Sequence, residues 1–268
     1  MLFKARRRRK LRIREFPEAW RGILRRRWPM FELLPARDRA ELEGHIQVFL
    51  AEKYFEGCNG LTVTEEMRVL IAAQACLLLL HRDTDYFPLM RSVLVYPGPF
   101  VGEGKSTGPG GVITESEGWR RGESWHTPGA GGPVILSWPD VLAGAANPGD
   151  GRNVVIHEFA HQLDGESGWV DGAPRIEDAR DAAAWKRVMS EEFNSHARAA
   201  WSGLPTVIDP YGATSPAEFF ATATEAFFER AAELRLSHPA LYDAMTGYFH
   251  QDPAAGLGLN RCRLAAGA

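Results

Sequence analysis

Hydrophobic residues in the first third of the chain recur at helical intervals. Leu42, Ile46, Phe49 and Leu50 share one helix face, and a second apolar run extends from Val69 through Leu80. Thr64-Glu65-Glu66-Met67 offers a start signal for that second helix, and Asp83 and Pro88 follow it. From Leu70 to Leu80 the run is broken only by Gln74 and bounded by Arg68 and His81, which is too short for a bilayer and reads as a core helix. Residues 28–90 are therefore expected to form a helical part. At Ser92-Val93-Leu94-Val95-Tyr96 the pattern becomes strand-like and ends at Pro97-Gly98-Pro99.

The stretch 102–132 is Gly-rich and reads as short strands joined by loops, interrupted by Gly111-Val112-Ile113-Thr114-Glu115, Trp119 and Trp125. Its cluster Gly108-Pro109-Gly110-Gly111 lacks the Lys-Ser/Thr ending and the following helix of a phosphate cradle. Pro133-Val134-Ile135-Leu136-Ser137-Trp138 is the clearest strand and is placed as an edge strand that would pair with an extended peptide. Val154, Val155, Phe159 and Leu163 then mark a half-buried helix with Asn153 or Asp150 as its N-cap. Trp185, Val188, Met189 and Phe193 form the apolar stripe of a further helix, on which His196 lies. Together these elements predict an α+β fold, with a helical part at about 28–90, a part at about 91–250 that holds a small mixed sheet, and a small-residue tail at 251–268. No internal repeat is evident.

Composition narrows the class. A chain of 268 residues with 45% hydrophobic content can bury a full core. Cys58, Cys76 and Cys262 are odd in number and widely spaced, which points to a reducing compartment, here the cytoplasm, and away from a disulfide framework. Net charge is −3, yet residues 4–27 hold twelve Lys or Arg against Glu15 and Glu18. Arg6-Arg7-Arg8-Arg9-Lys10 is followed by no long apolar core, so export is not supported. With no aromatic stacking set or base-reading module beside the charge, residues 1–27 are read as a flexible, solvated segment, with a transient contact to nucleic acid, membrane or the acidic body of the protein itself left open, and stable nucleic-acid binding is not expected.

Chemistry concentrates at His157-Glu158-Phe159-Ala160-His161-Gln162. Residues four apart project from one helix face, so His157 and His161 can offer imidazole nitrogens to one tetrahedral Zn²⁺. Glu158 then stands where it can take a proton from water that zinc acidifies to a pKa of about 7. A catalytic zinc ordinarily has three protein ligands. Six residues after His161 stands Ser167, so a His at that spacing is excluded as the third. Asp164 lies one turn beyond His161 and is read as a carboxylate that orients a ligand imidazole or as a capping Asp. Glu218 is the chosen third ligand, because it precedes the apolar residues Phe219, Phe220, Ala223 and Phe227, and a carboxylate aimed among them needs a partner. Ser215-Pro216-Ala217-Glu218 also fits a capping box, which alone would explain the residue. Glu225, seven residues on and on the same face, is either a carboxylate that orients a ligand imidazole or a rival ligand. His45, His81, His126, His196, His238 and His250 lack ligand spacing and are read as solvated or locally bonded.

In these motifs the chain resembles the Mlc titration factor A family, glucose-regulated zinc metallopeptidases of the gluzincin type. The matching stretches are His157 to Asp164, Asp209-Pro210-Tyr211-Gly212, Glu218-Phe219-Phe220-Ala221 and Glu225-Ala226-Phe227-Phe228, with similarity in order from about Trp28 to about His250. The resemblance implies a zincin catalytic fold with His157, His161 and Glu218 as ligands of one zinc ion and Glu158 as general base. It implies peptidase activity mainly of aminopeptidase type, with Tyr211 donating a hydrogen bond to the developing oxyanion, a role that suits a phenol with an ordinary pKa near 10. It implies, finally, that the protein binds a glucose-responsive repressor, Mlc, for which no contact motif is visible in the chain.

Overall fold

The computed structural model describes residues 2–107, 113–120, 122–124 and 132–256. The Gly108–Gly111 cluster, Trp125, His126, Cys262 and the tail from 257 onward lie outside the described residues. Four helices open the chain: α1 (Leu2–Arg12), α2 (Glu18–Arg27), α3 (Met30–Leu33) and α4 (Ala36–Glu52). Strand β1 (Tyr54–Gly57), helix α5 (Glu65–Leu77) and strands β2 (Ser92–Tyr96), β3 (Phe100–Thr107), β4 (Ile113–Arg120), β5 (Gly122–Ser124) and β6 (Val134–Ser137) come next. Helices α6 (Trp138–Ala146), α7 (Val154–Gly165), α8 (Ala179–Trp201), α9 (Pro216–Glu229), α10 (Ala231–Ser237), α11 (Pro239–Phe249) and α12 (Pro253–Gly256) follow, with a 3₁₀ turn at Pro210–Ala213. The class is α+β, mostly helical.

One sheet runs β1-β2-β6-β5, its first three strands parallel and β5 antiparallel to β6, while β3 and β4 pair separately as an antiparallel ribbon. Strand β6 was expected at an edge, but it has a neighbour on each side, and the edges are β1 and β5. The run Val134-Ile135-Leu136 is buried throughout rather than alternating, as befits an interior strand covered on both faces. Helix α7 packs against β5 and β6 on one side and α5, α6 and α9 on others, which sets it in the middle of the molecule.

The basic segment 1–27 departs from the flexible, solvated reading. Arg8 holds Glu52 through two nitrogens at 2.7 and 2.9 Å, pairs with Asp85, and lies 4.6 Å over the Tyr86 ring. Lys4 also reaches Asp85, and Arg21 reaches Glu43 at 2.7 Å. Phe16, Ile23 and Leu24 are buried in the core beside Trp28. The charge run is therefore partly an internal ion-pair system whose acidic partners lie far along the chain.

Candidate metal centre

Helix α7 begins where Asn153 caps it, its Oδ1 accepting from the Val155 and Ile156 amides at 3.1 Å. Asn153 rather than Asp150 is the cap, and Asp150 instead accepts from the Arg152 amide. Within the helix, His157 and His161 stand one turn apart, their rings 4.9 Å from centroid to centroid. Helix α9 begins with Ser215 accepting from the Glu218 amide at 3.2 Å. That is only half of a capping box: the Glu218 carboxylate turns to the histidines, with Oε2 at 3.0 Å from His157 Nε2 and 3.4 Å from His161 Nε2.

These three donor atoms lie within 4.8 Å of one another, and among the described residues no other group of three His, Cys, Asp or Glu converges in this way. Tetrahedral ligands bound at 2.0–2.1 Å sit about 3.3–3.4 Å apart; of the two Glu218 distances, 3.4 Å equals such an edge and 3.0 Å is a few tenths of an ångström shorter. The donor set of two imidazoles and one carboxylate fits a divalent metal ion.

Electrostatics agree with that fit. Burial works against a proton on His157, but hydrogen bonds to Glu218 and Glu225 outweigh it and hold its pKa well above the ordinary histidine value. Burial pushes Glu218 the other way, yet hydrogen bonds from His157 and His161 hold its carboxyl well below the usual range. The cluster thus attracts positive charge, and a metal ion would supply it in place of protons.

Glu225 stands on the other side of the His157 ring. Its Oε1 lies 2.8 Å from His157 Nδ1, on the ring edge away from Glu218, and its Oε2 accepts from the Asn153 amide. A carboxylate on Nδ1 fixes the tautomer that leaves Nε2 free to bind a metal. Asn153 Nδ2 donates to Gln74 Oε1 at 2.8 Å and to Glu229 Oε1 at 3.0 Å, and Glu229 Oε2 accepts from the Arg152 amide. Burial raises Glu229 to about 8 despite those donors. This second layer was not visible in the sequence, where Gln74 read as a break in an apolar run.

Asp164 makes no hydrogen bond to His161. Its Oδ2 accepts from the Gly172 amide at 2.8 Å, while its Oδ1 and His161 Nδ1 are both buried without a hydrogen-bond partner. Burial raises Asp164 to about 6. The contact does pin the chain after α7: Gly172 has a φ of +80°, and a Cβ there would stand 2.5 Å from the Pro216 carbonyl oxygen at the start of α9.

Glu158 is buried on α7 beside His157, and Tyr211 is 54% exposed with its ring 6.2 Å from that of His157. Asp209 holds the Tyr211 turn, with Oδ1 accepting from the Tyr211 amide and Oδ2 from Arg152 Nε, both at 2.9 Å. His196, expected to be solvated or locally bonded, is buried, lies 5.5 Å from the Phe219 ring, and has Nε2 at 3.1 Å from the Asp209 carbonyl oxygen. His45 is likewise fully buried between Tyr86 and Glu41.

A family model described as glucose-regulated metallo-peptidase M90 matches residues 2–250. A protein of Synechocystis sp., itself described as uncharacterised, is 40% identical over 240 residues, covering 90% of this chain and 86% of its own. Mlc titration factor A of Salmonella agona is 30% identical over 237 residues, 85% of each chain. The protein of the same name from Salmonella schwarzengrund is 30% identical over 240 residues, 87% of this chain and 86% of its own. Matched over nearly its whole length, the chain belongs to the glucose-regulated metallo-peptidase M90 family.

Proposed function

We propose that this metallopeptidase-type protein is a zinc-dependent peptidase of aminopeptidase type, with His157, His161 and Glu218 holding one Zn²⁺. The observation that carries the reading is the convergence of His157 Nε2, His161 Nε2 and Glu218 Oε2 from two helices, with Glu158 buried one residue from the first donor. When bound, zinc supplies Lewis acidity to the scissile carbonyl and to water. Glu158 takes the proton of the attacking water and delivers it to the leaving amine. Tyr211 donates a hydrogen bond from its hydroxyl to the oxyanion as it develops, from a turn that Asp209 and Arg152 anchor to the start of α7. Glu225 keeps the His157 ring in register.

A second reading rests on the relatives named Mlc titration factor A, which match most of the chain. In this reading the protein also binds the repressor Mlc or a homologue, with peptide hydrolysis secondary. Both readings place it in the cytoplasm. Among the described residues no helix is long and apolar enough to cross a membrane.

The test is metal content together with hydrolysis of aminoacyl and internally cleavable reporter peptides, for wild type, Glu158→Gln and Glu218→Ala. The proposal expects near-stoichiometric zinc, loss of activity with zinc retained in Glu158→Gln, and loss of zinc in Glu218→Ala. Zinc retained in Glu218→Ala would move the third ligand elsewhere. A zinc-loaded but inert wild type that still binds the repressor would favour the second reading.

A further inference from the structure

Helix α1 has two faces of different fate. Lys4, Arg8 and Leu11 recur at helical spacing and dock it, through Asp85, Glu52 and the hydrophobic core. On the other side Phe3, Arg6 and Lys10 follow the i, i+3, i+7 pattern, and Ile13 continues it just past the helix end. Phe3 is 89% exposed and Ile13 77% exposed, one at each end of the row with the cations Arg6 and Lys10 between them. Arg6, Arg9 and Lys10 are exposed and form no ion pair among the described residues, whereas Lys4, Arg8 and Arg12 are all engaged. The fold therefore neutralises the inner charges and leaves an outer stripe both cationic and apolar.

We infer that this outer face of α1 docks the protein onto the surface of an anionic phospholipid bilayer. The headgroup region rewards both halves of the stripe at once: anionic headgroups pair with Arg6, Arg9 and Lys10, while Phe3 and Ile13 enter the acyl boundary. A nucleic-acid backbone would satisfy the cations alone, because an isoleucine cannot stack on bases and the face carries one aromatic ring. The two apolar residues stand about 15 Å apart along the helix axis, flanking the charges as anchors at either end. The helix is already folded and clamped by Arg8, so docking orders no new chain.

Flotation of the full chain with vesicles tests this, using phosphatidylglycerol mixed into phosphatidylcholine, phosphatidylcholine alone, and a duplex DNA oligonucleotide as competitor. Arg6→Ala/Arg9→Ala/Lys10→Ala removes the outer charge, and Phe3→Ser/Ile13→Ser removes the apolar anchors at unchanged charge. All five side chains are exposed, and an unchanged thermal melt confirms that each variant folds. The expected result is binding to the anionic vesicles only, weakened by roughly 100-fold in the charge variant and by at least about 10-fold in the apolar variant. Absence of binding to anionic vesicles, wild-type binding by the apolar variant, or displacement from vesicles by DNA would each overturn the inference.

Discussion

Replacing Glu225 with Gln isolates the brace behind the candidate metal centre, because the change keeps shape and removes one acceptor. Two donors compete for this side chain: His157 Nδ1–H at 2.8 Å from Oε1, and the Asn153 amide on Oε2. A glutamine has a single oxygen. If that oxygen stays with His157, the new NH₂ faces the Asn153 amide, and a buried donor loses its partner at a cost of about 1–3 kcal/mol. For a chain of this length that lowers the melting temperature by roughly 2–10 °C. If the oxygen turns to Asn153, the NH₂ faces Nδ1, and the imidazole must carry its proton on Nε2, the atom 3.0 Å from Glu218 that a metal needs. Loss of such a partner typically weakens metal affinity about 10- to 100-fold, equivalent to about 1.4–2.8 kcal/mol. Zinc affinity measured by chelator competition, beside thermal melts of the metal-free protein, separates the two routes. A Glu225→Gln protein that binds zinc and melts as the wild type does would refute the account of the brace.

Asn153→Ala should be more disruptive than an ordinary cap loss, since it removes the cap of α7 and leaves Gln74 and Glu229 short of a donor. A loss of about 2–4 kcal/mol in urea unfolding is expected, and a change below about 0.5 kcal/mol would contradict the network. Tyr211→Phe should lower kcat by roughly 100-fold with zinc content and melting unchanged, because the side chain is exposed; a fall in KM-dependent binding alone would remove the residue from oxyanion stabilisation. Glu41 is held at about 2, below its ordinary 4.5, through a hydrogen bond from His45, with burial opposing and the His81 amide adding. Its folded-state value lies below the unfolded one, so its contribution is complete above about pH 4.5 and lost as pH falls toward 2. Stability curves of Glu41→Gln should be flatter than wild type across that window, and parallel curves would show that the carboxylate is not preferentially ionised in the fold.

What the sequence disclosed of the site was what local geometry governs. His157, Glu158 and His161 lie on one helix whose period and cap are written within a dozen residues. Glu218 stayed ambiguous because Ser215-Pro216-Ala217-Glu218 satisfies a helix start equally well, and in the structure the Ser215 cap and the turned carboxylate coexist. Glu225 was narrowed to two roles, and the choice depends on how α9 packs against α7, which no local pattern records. The basic first helix misled for a related reason. Its counter-charges Glu52 and Asp85 are 44 and 77 residues from Arg8, so the run looks unpaired until the chain folds. Strand β6 was legible as a strand but misplaced at an edge, although its unbroken apolar character was itself the mark of an interior position.

Helix α9 acts as a ruler. Glu218, Glu225 and Glu229 fall at intervals of seven and four residues, so one stripe carries the donor to the proposed metal, the brace on His157 and the link to the α7 cap. One inserted or deleted residue between them would swing part of that stripe by about 100° and uncouple all downstream roles together. Substitution can therefore explore this helix one position at a time, but length cannot change there at all. The same ruler sets the order of assembly: the donors on α7 and α9 are separated by more than fifty residues, so the centre closes only after the two helices have met. A metal ion captured at that stage would act as a clasp on a nearly finished molecule, and its release on heating would follow the parting of these helices rather than the fraying of either one.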